Sequence, residues 1–410
     1  MKHTFFIISA LTFLSITATY AQVDFIWGKQ FGSEQDDKTR NLVADASGNI
    51  FIVGKTTGKL GQEYFGKTDG FIAKIDSTAR LLWIRQIGSK EDDELKHADV
   101  DGSGNLYAVG YICPDDINRP KDTDILVVKV DSNGKTIWEK TYRTESQDKS
   151  ENIVVANDGT LYITGSTKGS MAGSSNGKED CFILHLDSGG NIIHSVQFGT
   201  PEYDMGAGLT IGEDSKLYVC GSTQGNLAAQ SAGGEDLFWG IFTLDLKQIK
   251  MVQSGTNKGD YPGEIKTDSA GNIYVSGSTD GNMACPQIGN TDAFLQKWNN
   301  KGEIEWTKQF GTGNWDGVHS ICVLQNKGIM ISGCQNYPKC QSFCKMYDES
   351  GSLLWDRYFI GQGEGGGTCG KDICMDNKGY LYHAGYTGAN LFSDLKGMHD
   401  LFLIKLKIDL

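Results

Sequence analysis

Carboxylate side chains recur at one fixed place along this sequence and are its first candidates for chemistry. Six of seven internal repeats carry an aspartate at the same position, and these are Asp37, Asp93, Asp148, Asp204, Asp260 and Asp316; the seventh has Thr368 there. Carboxylates gathered on one face could bind Ca²⁺, which prefers oxygen ligands. A turn aspartate also commonly accepts hydrogen bonds from the backbone of its own turn. Because every repeat needs its turn whereas a site is needed once, we favour the scaffold role and keep calcium binding as the alternative.

A second set of polar residues lies four positions further on and differs from copy to copy. Its members are Asn41, His97, Asn152, Gly208, Glu264, Ser320 and Asp372. Positions that vary between copies are better candidates for a single site than positions that all copies share. The ligand-binding candidates are therefore His97, Glu264, Asp372, Asn41, Asn152 and the nearby His319. His97 with Glu264, Asp372 or His319 could form an acid–base pair, but a solvated channel lined by polar groups is the favoured interpretation.

Other chemical motifs are weak or absent. The segment Asp99–Asn105 resembles a calcium loop, but it lacks the glutamate at loop position twelve and coincides with a hairpin turn found in other copies. The sequence has no Gly-x-Ser-x-Gly elbow, phosphate loop or His-Glu-x-x-His motif. No catalytic residue is assigned, and no cofactor is expected beyond a possible Ca²⁺.

The sequence contains ten cysteines, and six of them follow residue 320. An even number in an exported chain is compatible with disulfide bonds. Cys334 and Cys340 bracket a short loop and form the pair we favour. Zinc is the competing use of clustered cysteines, but no pair has Cys-x-x-Cys spacing and no histidine accompanies the cluster in sequence. We therefore expect no metal–thiolate site.

The residues above are positioned by seven copies of one repeat. Equivalent segments are headed by Trp27, Trp83, Trp138, His194, Met251, Trp306 and Trp355, at steps of 56, 55, 56, 57, 55 and 49 residues. In the first copy, strand-like segments at 42–44 and 50–54 flank the turn 45–49, whose Asp, Asn and Gly favour a tight hairpin. A third strand-like segment and the Trp-bearing fourth complete each copy. Helical periodicity is absent.

Four short antiparallel strands per copy predict an all-β fold, a seven-bladed β-propeller of four-stranded antiparallel blades. The chain begins with a fourth-strand segment around Trp27 and ends with a third-strand segment at 401–405. The N-terminal strand is therefore expected to close the last blade and remove its free edge. The predicted repeats lie near 24–80, 81–135, 136–191, 192–248, 249–303, 304–352 and 353–410.

The repeat resembles that of the bacterial SBBP, or seven-bladed β-propeller repeat, family. The resemblance rests on Asp292-Ala293-Phe294, on the run from Lys129 to Gly134 followed by Trp138, and on the run from Asp268 to Tyr274. It extends over all seven copies and implies the propeller fold. It implies little about activity, because a fold does not fix chemistry.

The first 21 residues are typical of a signal peptide, with a basic start at Lys2, an apolar run from Phe5 to Ile16 and small residues before Ala21. Residues 22–410 would then form the mature propeller, secreted or periplasmic. Removal of the leader leaves 37 basic and 51 acidic residues, a charge of −14. An acidic surface disfavours nucleic acid and anionic membranes as partners. We expect a monomer that does not insert into a membrane.

These observations predict a secreted, non-catalytic propeller that binds a glycan or a protein through one face. The alternative is an extracellular carbohydrate-active enzyme, a polysaccharide lyase or hydrolase, with its site at the mouth of the channel. Loops after the second strand of each copy vary in length and content. Variable loops carried by a constant scaffold favour that face as the one that meets a ligand.

Overall fold

The structure, a computed structural model, describes residues 22–115, 122–324, 327–363 and 366–409. Over these ranges the chain forms 28 β-strands and no helix, so none of this part of the chain is a helix that could cross a membrane. The predicted signal peptide at 1–21 lies outside the described residues.

The strands follow one another with short connections. The first fourteen are β1 (Gln22–Phe31), β2 (Asp37–Ala44), β3 (Ile50–Thr56), β4 (Asp69–Ile75), β5 (Leu81–Ile87), β6 (Glu94–Val100), β7 (Leu106–Ile112), β8 (Asp124–Val130), β9 (Thr136–Tyr142), β10 (Asp148–Val155), β11 (Leu161–Thr167), β12 (Asp180–Leu186), β13 (Ile192–Phe198) and β14 (Asp204–Ile211). The others are β15 (Leu217–Thr223), β16 (Asp236–Phe242), β17 (Gln248–Ser254), β18 (Asp260–Thr267), β19 (Ile273–Thr279), β20 (Asp292–Trp298), β21 (Ile304–Phe310), β22 (Trp315–Leu324), β23 (Gly328–Tyr337), β24 (Gln341–Tyr347), β25 (Leu353–Phe359), β26 (Thr368–Met375), β27 (Tyr380–Thr387) and β28 (Asp400–Asp409).

These strands form seven antiparallel sheets of four strands each. Six sheets are consecutive, beginning at β2, β6, β10, β14, β18 and β22, and the seventh has the order β1-β28-β27-β26. The predicted seven-bladed propeller and its closure by the N-terminal strand are confirmed.

The hairpins between the first two strands of a blade follow from their aspartates. In the β2–β3 turn, the Asp45 carboxylate accepts hydrogen bonds from the backbone N–H groups of Ser47 and Asn49, each at 2.9 Å. Gly48 has a φ of 83°, a left-handed conformation that glycine adopts without a steric cost. The same device recurs at Asp101, Asp268 and Asp376, which explains the regular turn pattern of the sequence.

The hydrophobic core lies between blades. One cluster combines Leu42, Ile52 and Phe71 of the first blade with Tyr382 and Leu403 of the seventh. Because each sheet packs against two neighbours, both of its faces are buried, and β4 has no exposed residue.

The repeating tryptophan of the outer strand joins blades, as its apolar bulk suggests. The indole N–H of Trp27 donates to the carbonyl of Ser77 in the next blade, at 3.3 Å, and Trp83 donates in the same way to Ser132. Trp138 and Trp306 repeat this bond.

The N-terminal strand reproduces the outer strand of an ordinary blade in detail. Gln30 of β1 donates to the Asp400 carboxylate at 2.9 Å, and Gln86 and Gln253 donate to Asp69 and Asp236 within their own continuous blades. The side-chain carbonyl of Gln30 also accepts from the backbone N–H of Leu391 at 2.8 Å. Ring closure therefore uses the same hydrogen bonds as the blades that need no closure.

We expect a chain that begins at residue 34 to be much less stable than one that begins at residue 22, because the edge of β28 would lose its partner. A loss of several kcal/mol corresponds to a decrease in Tm of roughly 5 °C in a chain of this length, measured by thermal unfolding. A synthetic peptide of residues 22–33 added in trans should restore part of the loss. Equal Tm values for the two chains would contradict closure by β1.

Candidate functional site

All blades present two kinds of loop on one side of the disc, which we call the loop face. It carries the segments that precede the first strand of each blade and the loops that follow the second strand. Neighbouring blades are linked there by isolated bridges such as Asp36 with His399 and Thr291 with Trp315. The tight hairpin turns lie on the opposite side, the turn face.

The six repeated aspartates lie on the loop face and are fully or almost fully buried. Asp260 accepts from the backbone N–H of Thr256 at 2.6 Å and from the Thr279 hydroxyl. Asp37, Asp93, Asp148, Asp204 and Asp316 likewise accept a backbone N–H from the residue four positions earlier. In the seventh blade, Thr368 bonds to the Thr387 hydroxyl at 2.9 Å instead. These protein donors support the scaffold role, and calcium binding stays an untested prediction.

A second aspartate meets the first at blade junctions. Asp400 of the seventh blade and Asp37 of the first lie on either side of Gly32, and a Cβ at Gly32 would clash with both carboxylates. Gly199, Gly255 and Gly311 lie between equivalent pairs. The sequence Gln30-Phe31-Gly32 is thereby explained, since Gln30 donates to one aspartate and Gly32 leaves room for two.

The structure brings all six ligand-binding candidates to one cavity at the mouth of the central channel. The cavity measures about 450 Å³, and its lining includes Asn41, His97, Asn152, Glu264, His319 and Asp372. A second cavity of about 340 Å³ continues down the channel. The expectation that these residues share one location agrees with this geometry, whereas their role in binding stays a prediction.

Several of these side chains connect successive blades. Asn41 accepts from the backbone N–H of Ala98 at 2.9 Å, and Glu264 accepts from that of Ile321 at 2.7 Å. Asp372 of the seventh blade accepts from the backbone N–H of Leu42 in the first blade at 2.8 Å. In each case the side-chain oxygen accepts from the residue directly after the equivalent position in the next blade. Ala98 follows His97, Ile321 follows Ser320, and Leu42 follows Asn41. Asn41, Glu264 and Asp372 thus serve as alternative acceptors for one backbone position, whereas Gly208 has no side chain and the Asn152 side-chain oxygen has no hydrogen-bond partner.

Burial changes the acid–base character of the channel residues. It lowers the pKa of His97 to about 3, and the Lys266 ammonium acts in the same direction. It raises the pKa of Asp372 to about 6, with a further contribution from the negative charge of Glu264. Lys266 lies 2.7 Å from Glu264 and keeps a raised pKa despite its burial. His97 is therefore neutral near pH 7.

Three residues beyond the repeated aspartate position, and one before the variable set, lies a ring of residues of which sequence reasoning found only His319. All seven line the mouth cavity, and they are Arg40, Lys96, Glu151, Ala207, Gly263, His319 and Lys371. Three are cationic and one is acidic. Arg40 forms an ion pair with Glu94, and Lys96 lies 3.3 Å from Glu151. Each of them lies at a β-bulge in the first strand of its blade, so the period-two alternation of a regular strand does not predict its orientation.

An aromatic cavity of about 400 Å³ adjoins the mouth cavity and shares Tyr261, His319 and Lys371 with it. Trp315 and Tyr337 on its wall expose 57% and 58% of their surface. Large exposed rings that border a polar cavity are typical of a binding surface.

Cysteines line the aromatic cavity. All ten cysteines of the chain are described and are free thiols, so the predicted Cys334–Cys340 disulfide is absent. The pKa of the Cys369 thiol is lowered well below its usual range, because Cys334 and Cys340 hydrogen-bond to its sulfur. The expectation that no histidine accompanies these cysteines is wrong, since β22 places His319 beside Cys334 and Cys369. That contact crosses from one blade to the next and has no signature in local spacing.

The raised pKa of Asp372 gives a pH-dependent prediction. The folded state favours the neutral carboxyl, so ionisation between about pH 4 and pH 6 costs the wild type stability. In Asp372→Asn this loss is absent, and its unfolding free energy relative to wild type should rise by on the order of 1–3 kcal/mol between pH 4 and pH 7. Urea unfolding at several pH values measures it. Exposed Asp394→Asn is the control, and parallel pH profiles for Asp372→Asn and wild type would contradict the assignment.

Known proteins resemble this chain in sequence and in structure. Regulatory protein FlaEY of Caulobacter vibrioides is 25% identical over 197 residues, which is 42% of this chain and 21% of that protein; the match thus spans about a fifth of the relative's length. A protein of unknown function from Dyadobacter fermentans superposes with a TM-score of 0.50 at 10% identity, covering 94% of this chain and 99% of that chain. A PL25 ulvan lyase bound to -[GlcA(1-4)Rha3S]- gives a TM-score of 0.52 at 10% identity, covering 90% and 96%.

The structural matches show the fold alone. The sequence profile of the SBBP beta-propeller repeat matches residues 26–61 and 253–282, which lie in the first and fifth of the predicted repeats. With seven four-stranded blades in one closed ring, these matches show that the chain is a seven-bladed propeller carrying SBBP beta-propeller repeats.

Proposed function

We propose that this protein binds an anionic glycan, a polysaccharide bearing carboxylate or sulfate groups, at the mouth of its channel and does not convert it. The observation that carries the proposal is the presence of three cationic side chains, those of Arg40, Lys96 and Lys371, around the mouth cavity. The same cavity is also lined by Glu151, Glu235, Glu264 and Asp372, so the cations form local anion-binding points within a mixed lining.

These cations have a specific electrostatic consequence. The guanidinium of arginine pairs well with carboxylate and sulfate oxygens, and the two lysine ammonium groups attract the same anions. Arg40 and Lys96 already contact Glu94 and Glu151, but each retains further N–H donors. Acidic residues elsewhere on the surface would repel an anionic polymer, which favours its alignment on the loop face.

The aromatic cavity supplies the second element of sugar recognition. Trp315 and Tyr337 offer broad apolar surfaces that are already exposed, and the C–H face of a sugar ring packs on such surfaces. Tyr261 belongs to both cavities, so a chain of several sugars could follow the three cationic side chains and the aromatic wall in one continuous path.

The shape of the loop face favours a glycan over a protein partner. Two adjoining cavities of about 450 and 400 Å³ fall in the range of ligand pockets, whereas protein interfaces are broader and flatter. Binding is favoured over catalysis, because the acid–base candidates are engaged by the scaffold. Asp372 accepts hydrogen bonds from Asn41, Leu42 and Ser320, and His97 is buried and neutral.

The proposal predicts that charge reversal at the mouth weakens binding of anionic oligosaccharides. The double variant Lys96→Glu/Lys371→Glu should bind at least about tenfold more weakly, a loss of about 1.4 kcal/mol or more, and wild-type binding should weaken with salt. An array of neutral, uronate-containing and sulfated glycans selects the ligand, and titration calorimetry measures its affinity. Lys135→Glu on the turn face is the matched control.

Two outcomes would overturn the proposal. Binding of neutral and anionic glycans with equal affinity would remove the role of the three cationic side chains. Shortened or unsaturated products after incubation with the selected glycan would favour the enzyme alternative. Product analysis by chromatography and mass spectrometry accompanies each binding measurement.

A further inference from the structure

Three side chains with soft or borderline metal-ligand atoms converge where the sixth blade meets the seventh, and the Cys340 thiol adjoins them. His319 is on β22, Cys334 on β23, Cys340 in the loop that follows, and Cys369 on β26. The ligand atoms of His319, Cys334 and Cys369 all lie within 4.8 Å of one another. The Cys340 thiol hydrogen-bonds to both other sulfurs. Three sulfurs and one imidazole nitrogen are a common set for tetrahedral zinc.

The histidine is oriented as a metal ligand would be. Its Nδ1 lies 2.7 Å from the carbonyl oxygen of Gly370, so Nδ1 carries the proton and donates to that oxygen. The lone pair is then on Nε2, which lies 3.5 Å from the Lys371 ammonium. Metal-binding histidines commonly donate their other N–H to a backbone carbonyl in this way.

The propeller scaffold does not require these residues. Cys369 occupies the place of Lys38 and Tyr261 in other blades, directly after the repeated aspartate position, and Cys334 pairs across the sheet where Lys55 does in the first blade. These equivalents are polar or aromatic and support the same strands. The cysteines are therefore additions made at one junction, and their convergence calls for a local explanation.

The loop that carries Cys340 is fitted closely against the seventh blade. The carbonyl of Cys340 accepts from the backbone N–H of Thr368 at 2.8 Å, and a Cβ at Gly367 would overlap the Cys340 backbone. Cys340 and Cys369 expose only 8% and 2% of their surface. His319 and Cys334 are half-buried and line the aromatic cavity, so an ion could reach the cluster from that side.

A disulfide accounts for less of this arrangement. It would join two of the three sulfurs, require an oxidant, and leave the third thiol unpaired. Zinc binding requires no oxidant, because Zn²⁺ replaces the protons of the three thiols, which pass to solvent, and accepts the lone pair of Nε2.

We propose that His319, Cys334, Cys340 and Cys369 bind one Zn²⁺ ion that cross-links the sixth and seventh blades. The site is independent of the proposed glycan function, since it concerns the ligand-free protein. The bound zinc would hold the loop between β23 and β24, which follows Tyr337, against the seventh blade.

The test uses the full chain, exported by its host and purified anaerobically without chelator or added reductant. We expect one zinc per chain by elemental mass spectrometry. Cys334, Cys340 and Cys369 should resist alkylation until a chelator is added. Replacement of zinc by Co²⁺ should give the intense absorption of tetrahedral cobalt with thiolate ligands. Cys334→Ser and His319→Ala should each lower zinc affinity at least tenfold, whereas Cys285→Ser, a half-buried cysteine outside the cluster, should keep one zinc.

A disulfide between any two of the three cysteines in that preparation would overturn the proposal. So would reduced wild-type protein that binds neither Zn²⁺ nor Co²⁺ at micromolar concentrations. Metal content and the cobalt spectrum of the wild type decide the matter even if a variant fails to fold.

Discussion

Pairs of buried aspartates at the blade junctions are the interaction on which the loop face depends. Asp37 and Asp400 meet beside Gly32, and other junctions repeat the arrangement. One carboxylate accepts from the turn before its strand, and the other accepts from the glutamine of an outer strand. Burial of these groups is costly unless donors surround them, so the loops must adopt conformations that deliver those donors. The carboxylates thereby fix the backbone of the loop segments at these junctions.

A backbone fixed in this way leaves specific positions free to vary. In the first strands that carry it, the aspartate anchors the turn, and Asn41, Glu264 and Asp372, four positions beyond the start of their strands, bond to the next blade. The residues one and three positions on face the mouth and have neither task, which is why they range from Arg40 to Gly263 and from Lys38 to Cys369. Arg40, Lys96 and Lys371 occupy the third position, and His319 and Cys369 of the cysteine cluster occupy the third and the first. These positions can specialise without disturbing the scaffold.

The sequence was sufficient for the fold because the fold depends on local patterns repeated seven times. The Asp45 turn, the Gln30-Phe31-Gly32 motif and the Trp83 position each describe contacts that recur, so weak signals reinforce one another. The site was only partly predictable for the opposite reason. Asn41, Glu264 and Asp372 were found by their variation, yet that variation reflects exchangeable acceptors of one inter-blade hydrogen bond. His319 and Cys369 are 50 residues apart, and only the packing of β22 against β26 makes them neighbours.

The sixth blade shows how a local departure changes the common surface. Its first strand has two bulges, between Trp315 and Gly317 and between Val318 and Ser320, whereas the first strands of the other blades have one. A bulge redirects the side chains beside it, and here the extra one precedes His319 and follows Trp315. The same irregularity therefore places an exposed ring on the wall of the aromatic cavity and an imidazole among the cysteines. A metal held by that imidazole would restrain Cys340, two residues after Pro338 and three after Tyr337, so the aromatic side of the mouth would be rigid before any ligand arrives. Preorganisation of this kind lowers the entropic cost of binding. The proposed zinc site between the sixth and seventh blades would in this way affect the loop face, to which both blades contribute.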